Sequence, residues 1–219
     1  MLNRILGQCW HCGQRDIYYC GCCAVCFADL PRTPPQNLRP GQAPDYCHTW
    51  LAALFYQPPV DHWVSQYKFH SHYGLADDFA LLLSSQVLAF HRYHKRLLPS
   101  ILIPVPMSHT RWRRRGYNQA KTLCQAVSKV LGIPYLDVLD INPVAQAVTQ
   151  HQLSARQREQ AMGHRYRLRT PVRAAHVALI DDVITTGSTL NAAAIALLEK
   201  NVDEVSGWAL AYTPASCSD

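Results

Sequence analysis

Residues 177–190 read Val177-Ala-Leu-Ile-Asp181-Asp182-Val-Ile-Thr185-Thr186-Gly187-Ser188-Thr189-Leu190. An apolar run ends in two adjacent carboxylates. A short hydroxyl-rich turn with one glycine follows, and then an apolar-periodic segment from Leu190 to Lys200. That order predicts strand, loop and helix. A loop of small hydroxylated residues gathers backbone N–H groups and hydroxyls at a helix start. There the first-turn N–H groups lack partners and the helix dipole favours negative charge. Thr185, Thr186, Gly187, Ser188 and Thr189 are therefore a candidate phosphate site. Asp181 and Asp182 fall at the C-terminal tip of the strand, where open α/β sheets bind ligands. Carboxylates for vicinal hydroxyls or Mg²⁺, set beside a phosphate loop, describe a ribose 5-phosphate. A buried strand running into an ordinary capped helix would need neither the acid pair nor the four small polar residues.

Two further groups could do chemistry. Arg111, Arg113, Arg114 and Arg115 place four guanidinium groups within five residues, just before Gly116. Such a loop can clamp a diphosphate through bidentate bonds. It can also hold a nucleic-acid backbone, with Trp112 available to stack on a base. The other group is cysteine. Six of the nine cysteines lie between Cys9 and Cys26; the rest are Cys47, Cys124 and Cys217. Cys9-Trp-His-Cys12-Gly13 reads as a knuckle, in which two thiolates grip one metal and Gly13 permits the tight reversal. Cys23 and Cys26 complete C-x₂-C-x₁₀-C-x₂-C; Cys20 and Cys23 form a competing pair of the same spacing, and Cys22 fits neither. His11, inside the first knuckle, reads as exposed and not a ligand.

Elements must position these groups. Trp50–Tyr56 reads as a strand, Val60–Phe69 and residues 74–92 as helices, and Ile101–Pro106 as a buried strand broken by proline. A helix over Gln119–Leu131 follows, with Leu123, Ala126, Val127 and Val130 on one face. After the phosphate loop come an alanine-rich helix, a left-handed stop at Asn201 and a final strand over Val205–Tyr212. Strand–helix alternation from residue 100 onward predicts an α/β fold, an open, mostly parallel sheet with helices on both faces. Pro31–Pro44 reads as a linker. The expected division is a small cysteine-rich region with its linker over 1–48 and the α/β domain over 49–219.

Ile180-Asp-Asp-Val-Ile-Thr-Thr-Gly-Ser-Thr189 resembles the phosphoribosyl-pyrophosphate (PRPP) signature of type I phosphoribosyltransferases. Its form is similar to the ComF/GntX family, which adds a cysteine-rich zinc region at the N-terminus. Pro104-Val-Pro106 followed by Arg115-Gly-Tyr-Asn-Gln-Ala120 is a second match, and Tyr67-Lys68-Phe69 a third. The resemblance covers nearly the whole chain. It implies a type I phosphoribosyltransferase-like fold with Asp181 and Asp182 as catalytic residues on the ribose hydroxyls, and the arginine loop on pyrophosphate. It favours Cys23 and Cys26 as the second zinc pair. Gln150, Leu153, Ser154, Arg156 and Arg158 match in order a segment that covers the ligand, making Gln150, Arg156 and Arg158 flexible-loop candidates; read alone, the stretch is an exposed polar helix. Relatives carry an asparagine where Ala161 stands. Lys68 either faces the ligand cleft or is a solvated helix-end lysine.

What the resemblance implies for function is a role in natural competence: uptake and cytoplasmic handling of transforming single-stranded DNA. The expected partners are PRPP or another phosphorylated ribose, single-stranded DNA, and competence proteins such as a DNA-uptake helicase or a recombination mediator. Structural Zn²⁺ and, with PRPP, Mg²⁺ are the expected cofactors. An active transferase passing ribose 5-phosphate to an acceptor is the alternative, although no general base for an acceptor stands out.

At 219 residues with 48% apolar content there is room for one sizeable core and a small appendage. A net charge of +6 suits an anionic ligand. No run approaches the ~18 apolar residues of a membrane span. Residues 1–30 lack a signal-peptide core, so a cytoplasmic location is expected, and paired cysteines there point to metal in place of disulfides.

Overall fold

The computed structural model describes residues 7–39, 45–69, 74–143 and 165–214. A short helix α1 (Ala24–Ala28) belongs to the cysteine-rich region. The main body follows as β1 (Thr49–Phe55), α2 (Val60–Phe69), α3 (Leu75–Tyr93), β2 (Ile101–Pro104), α4 (His109–Arg115), α5 (Gln119–Leu131), β3 (Leu139–Ile141), β4 (Tyr166–Leu168), β5 (His176–Ile184), α6 (Ser188–Leu198) and β6 (Glu204–Tyr212).

Four strands form one parallel sheet in the order β1-β6-β5-β2. Its central strands read as near-continuous apolar runs because both faces are covered. One face packs Leu51, Ala178, Ile180, Trp208 and Leu210 against Val64 and Tyr67 of α2, Phe79 and Leu83 of α3, and Leu123 and Val127 of α5. The other packs Trp50, Leu179 and Ala209 against α6. Ala192, Ala193, Ala194 and Ala196 let that helix sit close to the sheet, and all four are buried. After α6 the chain turns through Asn201, whose φ of 66° is the left-handed conformation expected there. The short antiparallel pair β3–β4 lies beside α6 and was not foreseen as a separate sheet.

Both outer edges of the main sheet are covered. Alongside β2, Leu102 N donates to Pro134 O (2.9 Å) and Leu136 N to Leu102 O (2.9 Å). Along β1, the proline-rich stretch runs antiparallel: Phe55 N donates to Pro31 O (2.7 Å), Thr33 N to Ala53 O (3.1 Å) and Leu38 N to Trp50 O (3.0 Å). Proline suits such an edge because one side of it needs no N–H donors.

The cysteine-rich region shares the core of the main body. Trp10 meets Trp63 of α2 and Phe79 of α3 edge-on, each at 6.2 Å between ring centroids. Cys9, Cys20, Cys22 and Cys23 are buried in that same cluster.

Candidate functional site

Pairing in the sheet opens the crevice. β5 is paired on one side with β6 as far as Ile184↔Tyr212, but on the other with β2 only as far as Ile180↔Pro104. Pro106 then sends the chain away into α4. Asp181 and Asp182 are the first β5 residues past the end of the β2 ladder, where an α/β sheet binds its ligands.

Asp182 lies on the α2 side, and Lys68 at the end of α2 reaches it, Nζ to Oδ2 3.3 Å. Hydrogen bonds place that lysine. Tyr67 Oη donates to Gln119 O (2.9 Å), Gln119 Nε2 donates to Lys68 O (3.3 Å), and Tyr117 Oη donates to Tyr67 O. The end of α2 is thus fastened to the start of α5. Of the two readings of Lys68, the cleft-facing one is what the structure shows.

Asp181 accepts the backbone N–H of Asp182 on Oδ1 (2.8 Å). Burial, and then repulsion from Asp182, push its carboxyl up to about 7; that backbone N–H, Lys68 and Arg111 pull the other way. The pair is therefore poised to gain from a cation.

The hydroxyl-rich loop follows. Thr185 and Thr186 are exposed, Ser188 and Thr189 half-buried, and Gly187 buried. Thr185, Gly187, Ser188 and Thr189 line a hollow together with Asp181. Gly187 has φ 76° and stands just before α6. Asn191 N donates to Gly187 O (2.9 Å), so the N–H groups of residues 188–190 precede the first intrahelical bond. Thr186 Oγ1 lies 3.1 Å from Ser188 Oγ and 3.4 Å from Ser188 N, which ties the loop across its mouth. Only glycine fits position 187. A Cβ there would stand 2.9 Å from Trp50 Cη2 and 3.3 Å from Arg39 Cζ.

The arginine stretch, read from the sequence as a loop, is a helix. Ser108 caps it by accepting Arg111 N (3.4 Å), and Gly116, at φ 79°, ends it. Helical spacing sorts the four arginines. Arg111 and Arg115 stand one turn apart, and both feel the carboxylates: Arg111 favours the charged form of Asp181, and Asp182 that of Arg115. Burial is the larger influence on Arg115 and lowers its pKa; its Nη1 donates to Gln119 Oε1 (3.2 Å). Arg113 is exposed, as is Trp112 at 52%. Gln150, Arg156 and Arg158 lie outside the described residues.

In the cysteine-rich region the sulfurs of Cys9, Cys12, Cys23 and Cys26 all lie within 4.8 Å of one another, a set that could hold a metal ion. Gly13, at φ 74°, makes the first turn, and its N–H donates to Cys9 O (2.9 Å). Burial disfavours the Cys9 thiolate, yet N–H groups of Cys12, Cys23 and His11 outweigh it and hold the thiol down to about 6. Cys20 and Cys22 are buried outside the cluster, where burial first and then nearby negative charge push each thiol up to about 12. The Cys20–Cys23 alternative is therefore not the pair that closes the site. His11 is exposed and lies against Trp63.

A carboxylate pair at the tip of a parallel strand, with a hydroxyl-rich loop opening the next helix, defines an α/β protein whose crevice lies at the strand ends. No family model matches the chain. Among curated proteins it is 35% identical over 211 residues to competence protein F of Haemophilus influenzae, a match covering 93% of this chain and 83% of that one. It is 34% identical over 223 residues to the DNA utilization protein YhgH of Salmonella typhimurium, covering 94% and 97%. Competence protein ComFC of Streptococcus pneumoniae is 26% identical over 159 residues, covering 73% and 66%. Among solved structures it is similar to glutamine PRPP amidotransferase of B. subtilis complexed with ADP and GMP, with a TM-score of 0.45 and 17% identity over 66% of this chain and 30% of that one. The chain belongs to the ComF family of competence and DNA utilization proteins.

Proposed function

We propose that the protein binds PRPP, or another phosphorylated ribose, in this crevice and serves uptake and cytoplasmic handling of single-stranded DNA in natural competence. The observation that carries the first half is the meeting of two carboxylates, Lys68, Arg115 and the 185–189 loop at one sheet end. The 5-phosphate would sit on the loop and the ribose hydroxyls on Asp181 and Asp182. Arg111 and Arg115 would take the pyrophosphate, with Mg²⁺ neutralising it beside the acids. The four sulfurs of the knuckle are a soft donor set that suits structural Zn²⁺.

Support for the second half comes from the relatives' names and from α4. Arg113 and Trp112 point a cation and an aromatic ring into solvent, the combination that tracks a single strand. Among the described residues no helix is long and apolar enough to cross a membrane, which is compatible with a cytoplasmic place of action. A DNA-uptake helicase or a recombination mediator remains the partner class to test by co-purification.

Transfer of ribose 5-phosphate to an acceptor is the second reading. It rests on the position of Asp181, at the tip of β5 and in the same hollow as the hydroxyl-rich loop. Catalysis would lie in positioning and in stabilising charge as the C1 bond to pyrophosphate opens. Calorimetry with Mg²⁺ and PRPP, paired with a pyrophosphate-release assay across nucleobases, separates the readings. Binding lost in Asp182→Ala without pyrophosphate supports a binding protein. Pyrophosphate release supports the transferase, and no binding at all removes both.

A further inference from the structure

The phosphate loop rests on something that the carboxylate and arginine motifs do not include. The bare face of Gly187 is closed by Trp50 and by the guanidinium of Arg39, whose Cζ lies 5.0 Å from the Trp50 ring centroid. Arg39 comes from the proline-rich stretch along β1, far from α6 in sequence. Its own backbone is fixed: Arg39 N donates to Asn37 Oδ1 (3.3 Å), which also accepts Trp50 N (3.0 Å). The side chain is only 11% exposed.

Its partner is Asp45, Nη2 to Oδ1 3.4 Å, loose for a guanidinium–carboxylate pair. Asp45 is in turn anchored to the phosphate-loop helix: Asn191 Nδ2 donates to the same Oδ1 (3.0 Å), while Asn191 Oδ1 accepts Tyr46 N (2.8 Å). Among the described residues, Arg39 Nε and Asp45 Oδ2 are buried and without a hydrogen-bond partner. Unmet hydrogen-bonding capacity on both members of a buried pair is costly in an unliganded protein. A further anion could meet the unmet donor of Arg39, but not the acceptor Oδ2 of Asp45, which repels it.

We propose that Arg39 is a positioning residue of the phosphate loop, holding Gly187 in place with Trp50 and adding a buried positive charge that a bound 5-phosphate shares with Asp45. This rests on the reading of residues 185–189 as the 5-phosphate site. The stretch before β1 is then part of the ligand site, and Asp45 tempers its affinity.

The test is calorimetric titration of the full chain with PRPP and, separately, with ribose 5-phosphate, both with Mg²⁺ and at two salt concentrations. Arg39→Met removes the charge and keeps the bulk; Arg39→Lys restores the charge; Asp45→Asn neutralises the competing carboxylate but leaves Asn191 an oxygen to bind. Thermal melts confirm folding, and Asp45→Asn and Arg39→Lys keep the test open if Arg39→Met unfolds. Arg39→Met should weaken both ligands about tenfold, equivalent to ~1.4 kcal/mol. Arg39→Lys should recover part of that loss, and Asp45→Asn should tighten binding several-fold with a steeper salt dependence. Equal weakening by Arg39→Met and Arg39→Lys, together with weakening by Asp45→Asn, would overturn the charge role. So would a loss seen with PRPP and not with ribose 5-phosphate. A wild-type protein that binds neither ligand would instead overturn the reading of the loop itself.

Discussion

Replacing Gly187 by alanine tests how the 185–189 loop is built. The substitution has two separable costs. One is conformational: at φ 76° an L-residue is disfavoured by ~1–2 kcal/mol. The other is steric. The new Cβ would lie 2.9 Å from Cη2 and 3.2 Å from Cζ3 of Trp50. That ring is fully buried in the core on the α6 side, so it cannot swing away. Forcing a methyl into such packing costs a further ~1–3 kcal/mol. Gly187→Ala should therefore lose about 2–5 kcal/mol of stability. Gly116→Ala is the internal control. Its φ is 79°, but a Cβ there meets nothing within 4 Å, so it should lose only ~1–2 kcal/mol. Urea denaturation of the two variants beside wild type measures the difference, provided the m-values agree. Equal losses would refute the packing of the loop on Trp50, because the conformational cost alone is common to both.

Other expectations follow from the same geometry. Lys68→Met leaves Asp182 without its 3.3 Å partner in a half-buried site. It should weaken Mg²⁺–PRPP binding by about five- to thirtyfold, equivalent to ~1–2 kcal/mol, as read by calorimetry. Stability of the unliganded protein should depend on pH through Asp181. Its carboxyl is raised from 3.8 to about 7, so between those values the folded state holds a proton that the unfolded chain has released. Stability should therefore fall as pH rises across that window, and Asp181→Asn should flatten the profile of thermal melts. For the knuckle, metal analysis should find one bound ion; Cys12→Ser or Cys26→Ser should lower its retention, whereas Cys20→Ser or Cys22→Ser should keep it. On α4, Arg113→Ala should weaken salt-sensitive binding of single-stranded oligonucleotide while sparing PRPP, and Arg115→Ala should do the reverse.

Much of the scaffold was legible because it is written in local patterns. The apolar run before Asp181, the alanine-rich α6 and the Leu123, Ala126 and Val127 face of α5 announce their elements through burial against a parallel sheet, although Val130, expected on that face, is 43% exposed. The acid pair and the hydroxyl loop are contiguous, so their meeting needed no tertiary knowledge. Long-range partners are another matter. Nothing near Lys68 says that it meets Asp182; the Tyr67, Tyr117 and Gln119 hydrogen bonds decide it. Arg39 sits in a proline-rich stretch whose composition reads as a linker, yet its backbone binds the edge of β1. The helix at 109–115 was signalled by Ser108 and Gly116 as its caps, but a dense charge run masked the pattern. The choice of Cys26 over Cys20 turns on which thiol the turn at Gly21 buries away from Cys9 and Cys12, which spacing alone leaves open.

A crystal structure of the protein with PRPP and Mg²⁺ would show whether this crevice holds a phosphorylated ribose. The 5-phosphate should lie on the N–H groups and hydroxyls of residues 185–189, the ribose hydroxyls on Asp181 and Asp182, and the pyrophosphate toward Arg111 and Arg115. A 185–189 loop free of phosphate in a PRPP-soaked crystal, or the 5-phosphate seated on the arginine helix, would contradict it.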